Sequence, residues 1–469
     1  MLIFLCRLEW RALTRDTRSI AAIMLLIICT AYGVYTGESW RQERERSITT
    51  VTTARMQSRD KQRAQLAGPQ QASSILSQRP PVFAYFVEDE AVLPPMPLAG
   101  LSIGPGDALP HVARLAVYAN RYELFDEAAG TQNAVMLASG RFDLAFVLIW
   151  LVPLILIGCT YDLLSDDRES GVLALALAQP ISLRVLLCAR TFVRGGTLLG
   201  TAALLSIGGL IIGNGPVTPR VLILLLVFGS VLVAYGLFWL LTAALVNCLR
   251  WAPASNALAL GSLWIALLLI VPGTMDVILN RAVPPPSRPE MVSGFREVYE
   301  RVKQNAEHIT ADFYAAHPEY NRSSASSIDR ATQDYWAVQQ RAGDQMASIL
   351  NRFDQQSMTR HALAGRLQFA SPAIAMQHTL DQLSGNNGHR FRRFGAQVQT
   401  FFDQLQTHLV PPLFENRPLT LREYDGLPRF HFQEEPLGDQ VGRVVVPAIV
   451  LGLLDALLAI FAWRACERH

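Results

Sequence analysis

The chain has 469 residues, 51% of them hydrophobic and only 17% charged, with a formal net charge of +2. This is too apolar overall for an ordinary soluble enzyme, and no nucleic-acid partner is expected. The apolar residues gather into six runs, each long enough for a bilayer core that needs about 20 residues and tolerates about 17. The expectation is an all-α polytopic membrane protein with six transmembrane helices and two extracytoplasmic domains.

In chain order, residues 1–18 carry Phe4, Leu5, Leu8 and Leu13 on one face, together with Arg7, Arg11, Arg15 and Arg18. Such an amphipathic segment suits the inner membrane surface. The first span covers 19–35. Ala31-Tyr32-Gly33 resembles a small-x-small cleavage site, but a leading region containing Glu9 and Asp16 is unusual for a signal peptide, so an uncleaved anchor is expected. An extracytoplasmic segment, 37–142, opens with a charged helical stalk (38–63) and a Gln/Ser/Ala stretch (65–78). Prolines follow at Pro80, Pro81, Pro94, Pro95 and Pro97, and the aromatic and β-branched run Val82–Val87 reads as a short strand.

Residues 143–275 hold spans two to five, at 143–159, 195–213, 221–246 and 254–275. Between the second and third lies a polar interruption containing Asp166, Asp167, Arg168, Glu169, Ser170 and Gly171. Asp166 can cap a helix, with Glu169 completing a capping box, and the acids suit the positive end of its dipole. Gln179-Pro180 stops that helix, because proline lacks a donor and disfavours helical geometry before it. A charged helix over 166–178, held at a membrane face, can receive force from a soluble partner.

Residues 276–442 form a second extracytoplasmic domain. Val292, Phe295, Tyr299, Val302, Ala306, Ile309 and Phe313 recur at helical spacing, as do Tyr335, Val338, Ala342, Met346, Ile349 and Phe353. With a third helix from His389 to about His408, they predict a small bundle whose aromatic stripes are core rather than ligand site. The sixth span covers 444–463.

Arginines set the orientation. The amino terminus, the loop after span two (Arg168, Arg184, Arg190, Arg194), Arg250 and the carboxy-terminal Arg464 and Arg468 share one side. Both termini are therefore placed in the cytoplasm of a cell in whose inner or plasma membrane the chain sits. Cys6, Cys159, Cys188, Cys248 and Cys466 fall on that side and Cys29 inside the first span, which leaves no external disulfide.

The only lysines, Lys61 and Lys303, lie outside any glycine-rich loop, so the chain lacks a Walker A motif and is not itself an ATPase. Asp455 is the one ionisable residue deep inside a span, at a cost that calls for a partner, and is a candidate point on a transport path. Gly196, Gly200, Gly209 and Gly213 on the third span suit close helix packing, within one subunit or across a dimer. The histidines are scattered, with no H-E-x-x-H and no C-x-x-C, so no metal or other cofactor is expected.

The stretch Asp167-Arg168-Glu169-Ser170-Gly171-Val172-Leu173, running to Gln179-Pro180-Ile181-Ser182, resembles the coupling segment of the ABC-2 family of transporter permeases. Leu8-Glu9-Trp10-Arg11 resembles the family's amino-terminal elbow. Gly140-Arg141-Phe142-Asp143, Phe369-Ala370-Ser371-Pro372 and Leu383-Ser384-Gly385 resemble the subgroup with a large helical extracytoplasmic insertion before the last span. Val172 stands where many members have Thr, and Leu183 interrupts the usual Ser-Arg; neither change removes a charge. The resemblance implies two permease subunits, identical or paralogous, pairing with two cytoplasmic ATPase subunits that push on the coupling helix. The alternative is a non-transporting scaffold or sensor that binds a partner through its outer helical domain. An intramembrane enzyme would need clustered acids or histidines at membrane level, and only Asp455 is there.

Overall fold

A computed structural model describes residues 2–67, 80–85, 87–118, 141–214, 216–322, 327–415 and 417–467. The chain begins with α1 (Leu2–Leu13) and α2 (Thr17–Ala67), then α3 (Pro80–Tyr85) and a hairpin of β1 (Glu88–Val92) and β2 (Val112–Ala116). The second span, α4, is continuous through Leu144–Phe146, Val147–Leu151 and Val152–Thr160. Two short helices follow, α5 (Ser165–Glu169) and α6 (Val172–Leu177), and then α7 (Leu183–Asn214) and α8 (Pro219–Cys248). The fifth span, α9, runs through Pro253–Ile265, Ala266–Ile270 and Val271–Ala282. Beyond it come α10 (Arg288–Gln304), α11 (Ala306–Ala316), α12 (Ser327–Leu367), α13 (Pro372–Ser384), α14 (Gly388–Phe414), α15 (Leu421–Asp425) and α16 (Leu437–Glu467). Six of these helices (α2, α4, α7, α8, α9 and α16) are long and apolar enough to cross a membrane.

Proline shapes two of the spans. Val147–Leu151 and Ala266–Ile270 are π-helical turns, and Pro153 and Pro272 follow them with no N–H to give. Side chains from elsewhere occupy carbonyls in these turns. The Tyr235 hydroxyl on α8 donates to the Ile149 carbonyl at 3.0 Å, and the Ser371 hydroxyl donates to the Leu267 carbonyl at 2.7 Å. Ser371 also caps α13, and Gly385, at φ +73°, ends it in the left-handed region. The motifs that flank α13 thus position it. Its Ala373, Met376, Leu380 and Leu383 join the core of the spans.

The first span and the stalk are one helix. At 51 residues α2 is roughly 75 Å long, more than twice the bilayer core. Its far half is tied down by Arg59 to Asp89 (2.6 Å), Arg63 to Asp425 (2.9 Å) and the Tyr424 hydroxyl donating to Gln62 (2.7 Å). Gly37 is where a side chain cannot fit, since a Cβ there would stand 1.9 Å from the Gly100 carbonyl oxygen. Gly37→Ala is therefore expected to destabilise the protein by about 1–3 kcal/mol, as overpacking does. A thermal midpoint equal to wild type would contradict this close approach.

The two long connecting segments share one core. Ala91, Leu93, Ala113 and Leu115 of the hairpin pack with Phe394, Val398, Phe402 and Leu409 of α14. Val298 and Val302 of α10 meet Ala342 and Met346 of α12. Three details differ from expectation. The strand lies at Glu88–Val92, paired antiparallel with Val112–Ala116, and residues 80–85 are helical. The first stripe is split at Asn305, whose side chain donates to the Arg301 carbonyl and ends α10 there. The segment between α4 and α7 forms two short helices, α5 and α6, instead of one. Gln70 and Gln71, like Gly140 and Arg468, lie outside the described residues.

Candidate coupling site

The segment between α4 and α7 sits at the end of the bundle that carries α1 and the end of α16. Instead of one helix over 166–178, it forms α5 and α6, separated at Gly171, whose φ of +75° a residue with a Cβ rarely adopts. The helix start also differs from expectation. Leu164 stands at the cap position with no side-chain hydrogen bond, so Asp166 and Glu169 form no capping box. Asp166 and Asp167 lie in the first turn, where the dipole favours them. The Ser170 hydroxyl donates to the Asp166 carbonyl at 3.0 Å. Gln179 and Pro180 form an exposed turn after α6.

Helix α6 has two unlike sides. Leu173 is buried with Leu163, Leu164, Leu186 and Leu187 and anchors the segment to the bundle. Val172, Leu175 and Leu177 point away and are 47%, 72% and 40% exposed, beside exposed Asp166 and Glu169. Arg168 is half-buried, with one guanidinium nitrogen lacking a hydrogen-bond partner among the described residues.

Behind this tip is an ionic clamp. Arg194 of α7 donates to Glu9 of α1 at 2.8 Å, to Asp162 at 3.2 Å and to the Cys159 carbonyl at 3.1 Å. Arg190, one turn earlier, donates to Asp167 and to the Leu163 carbonyl, with Glu9 3.7 Å away. Two arginines thus tie α1 and the segment to α7. Their planar, multi-donor head groups suit two carboxylates and a backbone carbonyl at once. In the sequence these arginines are visible only as charges that set orientation. On the same end, the sulfurs of Cys248 in α8 and Cys466 in α16 lie against each other, and Arg184 pairs with Glu467 at 2.5 Å.

The remaining candidates are dispersed. Gly209 and Gly213 lie against Val34 and Glu38 of α2, whereas Gly196 and Gly200 face open space. Asp455 is 7% exposed in α16, and one of its oxygens is buried without a hydrogen-bond partner among the described residues.

At the opposite end of the bundle, Asp381 accepts from the Ser102 hydroxyl at 2.6 Å and from Gln377 at 2.9 Å. Burial lifts its carboxyl to about 7 against the pull of these bonds, and nearby Asp143 adds to the rise. The unfolded carboxyl ionises near 4. Between those values the unfolded chain has released a proton that the folded one still holds. The contribution to stability is therefore full below about pH 4 and is lost as pH rises to about 7. Asp381→Asn keeps the accepting oxygen and should flatten that decline, raising the thermal midpoint at pH 8 and leaving it nearly unchanged at pH 4. Equal midpoints at pH 8 would contradict a carboxyl that burial holds above its ordinary range.

Fold and sequence together define a helical polytopic membrane protein with a helical insertion before its last span. A family model described as a domain of unknown function, DUF3526, matches residues 288–433, from the start of α10 to beyond α15. The match thus covers the insertion and neither the spans nor the coupling segment. No curated protein matches the chain.

Proposed function

We propose that the chain is the membrane-spanning permease subunit of an ABC transporter, of ABC-2 type, coupled to a separate cytoplasmic ATPase subunit. The observation that supports this most is α6, a short helix presenting Val172, Leu175 and Leu177 outward while Leu173 is buried in a cluster with residues of α7, α8 and α16 and Arg190 ties the preceding α5 to α7. Isolated exposed apolar residues are ordinary; three on a braced, protruding helix beside Asp166 and Glu169 suit a protein partner. The face bearing α1, α6 and the end of α16 is then cytoplasmic. The shared core of hairpin and insertion is extracytoplasmic, and a second permease subunit completes the path. ATP-driven closure of the ATPases would displace α5 and α6, and the spans would follow as rigid bodies.

Asp455 then serves the path or the contact between subunits. Asp455→Asn, which keeps shape and hydrogen-bonding capacity, is expected to impair transport at normal protein level. Wild-type transport in that variant would leave Asp455 a packing residue. The function itself is tested by purifying the tagged chain from native membranes. A stoichiometric ATP-hydrolysing subunit is expected. Full recovery of the chain with no such subunit would favour the scaffold or sensor reading.

A further inference from the structure

Besides the arginine clamp, two asparagines from other helices grip the turn that joins α4 to α5. Asn247 of α8 and Asn256 of α9 are both 0% exposed. Asn247 Oδ1 accepts from the Leu164 N–H at 3.1 Å, and its Nδ2 donates to the Thr160 carbonyl at 3.0 Å and the Ala243 carbonyl at 2.9 Å. Asn256 Nδ2 donates to the Tyr161 carbonyl at 3.1 Å and to the Ser165 hydroxyl at 3.2 Å, with Asn247 Oδ1 at 3.5 Å. Both side chains therefore act on the backbone where α4 gives out and its last carbonyls lose their helical partners.

Buried amides are costly in an apolar bundle unless hydrogen-bonded, and most of the bonds these two make go to one turn. Asn256 Oδ1 is buried with no hydrogen-bond partner among the described residues. The two sets of contacts with the turn also differ. Arg190 and Arg194 reach it through long, flexible stems. Asn247 and Asn256 have two side-chain torsions each and bind backbone atoms directly, so the turn cannot shift without moving α8 and α9 or breaking these bonds. Helix α9 carries the π turn Ala266–Ile270 farther along, a place where a helix can bend.

We infer that Asn247 and Asn256 are positioning residues that pass displacement of the coupling segment into α8 and α9, a role that rests on the coupling function proposed above. The full chain in lipid nanodiscs, with its ATPase subunit, provides the test. Asn247→Leu and Asn256→Leu should each speed amide exchange across residues 161–170 by about tenfold or more, while α16 stays protected. Both leucine variants should bind the ATPase as wild type does and yet lose most of the ATPase stimulation. Where a leucine variant does not fold, Asn247→Ser or Asn256→Ser gives the same reading. Unchanged exchange in the variants would overturn the grip on the turn. Faster exchange with full stimulation would overturn the transmission. A wild-type chain that binds no ATPase would overturn the coupling function and the transmission with it, while the exchange arm still decides whether the asparagines hold the turn.

Discussion

Replacing Arg194 with glutamate is expected to abolish ATPase stimulation and to lower the stability of the whole assembly. The substitution removes the cation shared by Glu9 and Asp162 and adds a third carboxylate between them. The side chains of Arg194, Glu9 and Asp162 are 24%, 12% and 21% exposed, so water offsets only part of the loss. Removing one partner of a buried pair costs roughly 3–5 kcal/mol, and the lower end applies to this partly wetted site. Arg194→Lys separates charge from geometry. It keeps the cation but cannot serve two carboxylates and the Cys159 carbonyl together, so partial stimulation at near-normal stability is expected. Thermal midpoint and stimulated ATP turnover, read on the same preparations, check both results. Full coupling in Arg194→Glu would remove the clamp from the mechanism.

The second large effect is expected at the tip. Leu175 is 72% exposed, so Leu175→Asp should leave the fold intact while placing a charge at the centre of the proposed contact. A central apolar anchor contributes about 2–3 kcal/mol, which corresponds to a loss of affinity on the order of 100-fold for the ATPase subunit. Leu173→Asp, two residues back and buried with Leu163 and Leu186, should instead reduce stability and binding together. The contrast between the two positions is the measurement. Equal affinity of wild type and Leu175→Asp, at equal protein level, would move the contact elsewhere.

The spans were legible because hydrophobic length alone identifies them, and the stalk was legible as helix because residues 38–63 contain no proline or glycine. Their fusion into one helix with span one was not anticipated. The strand expected at 82–87 lies at Glu88–Val92, and its partner Val112–Ala116 was not read, since Glu88, Asp89 and Glu90 are poor strand formers in isolation. Asp89 is tolerated there because Arg55 and Arg59 of α2 reach it, a pairing between distant parts of the chain. The break at Gly171 was hidden because a helix pattern tolerates a glycine, and only the backbone angle shows that this one ends a turn. Of the candidate site, the sequence exposed the charges of the coupling segment but not what holds them. Arg190 and Arg194 read as markers of orientation, and no sequence pattern singles out Asn247 and Asn256. Their roles come from which helices meet, information that no local pattern carries.

On the proposed topology, the unbroken α2 makes the shared core of hairpin and insertion, the outer body, the long end of a lever. Its fulcrum is the bilayer, and its far half is bound to Asp89, Asp425 and Tyr424. Over the roughly 45 Å of helix beyond the bilayer core, a tilt of about 10° in span one would carry the far end through roughly 8 Å. A loosely jointed pair of outer segments would shear under that swing. Because hairpin and insertion share one core, the swing is delivered as a displacement of a single solid part, and whatever the outer body touches moves with the first span.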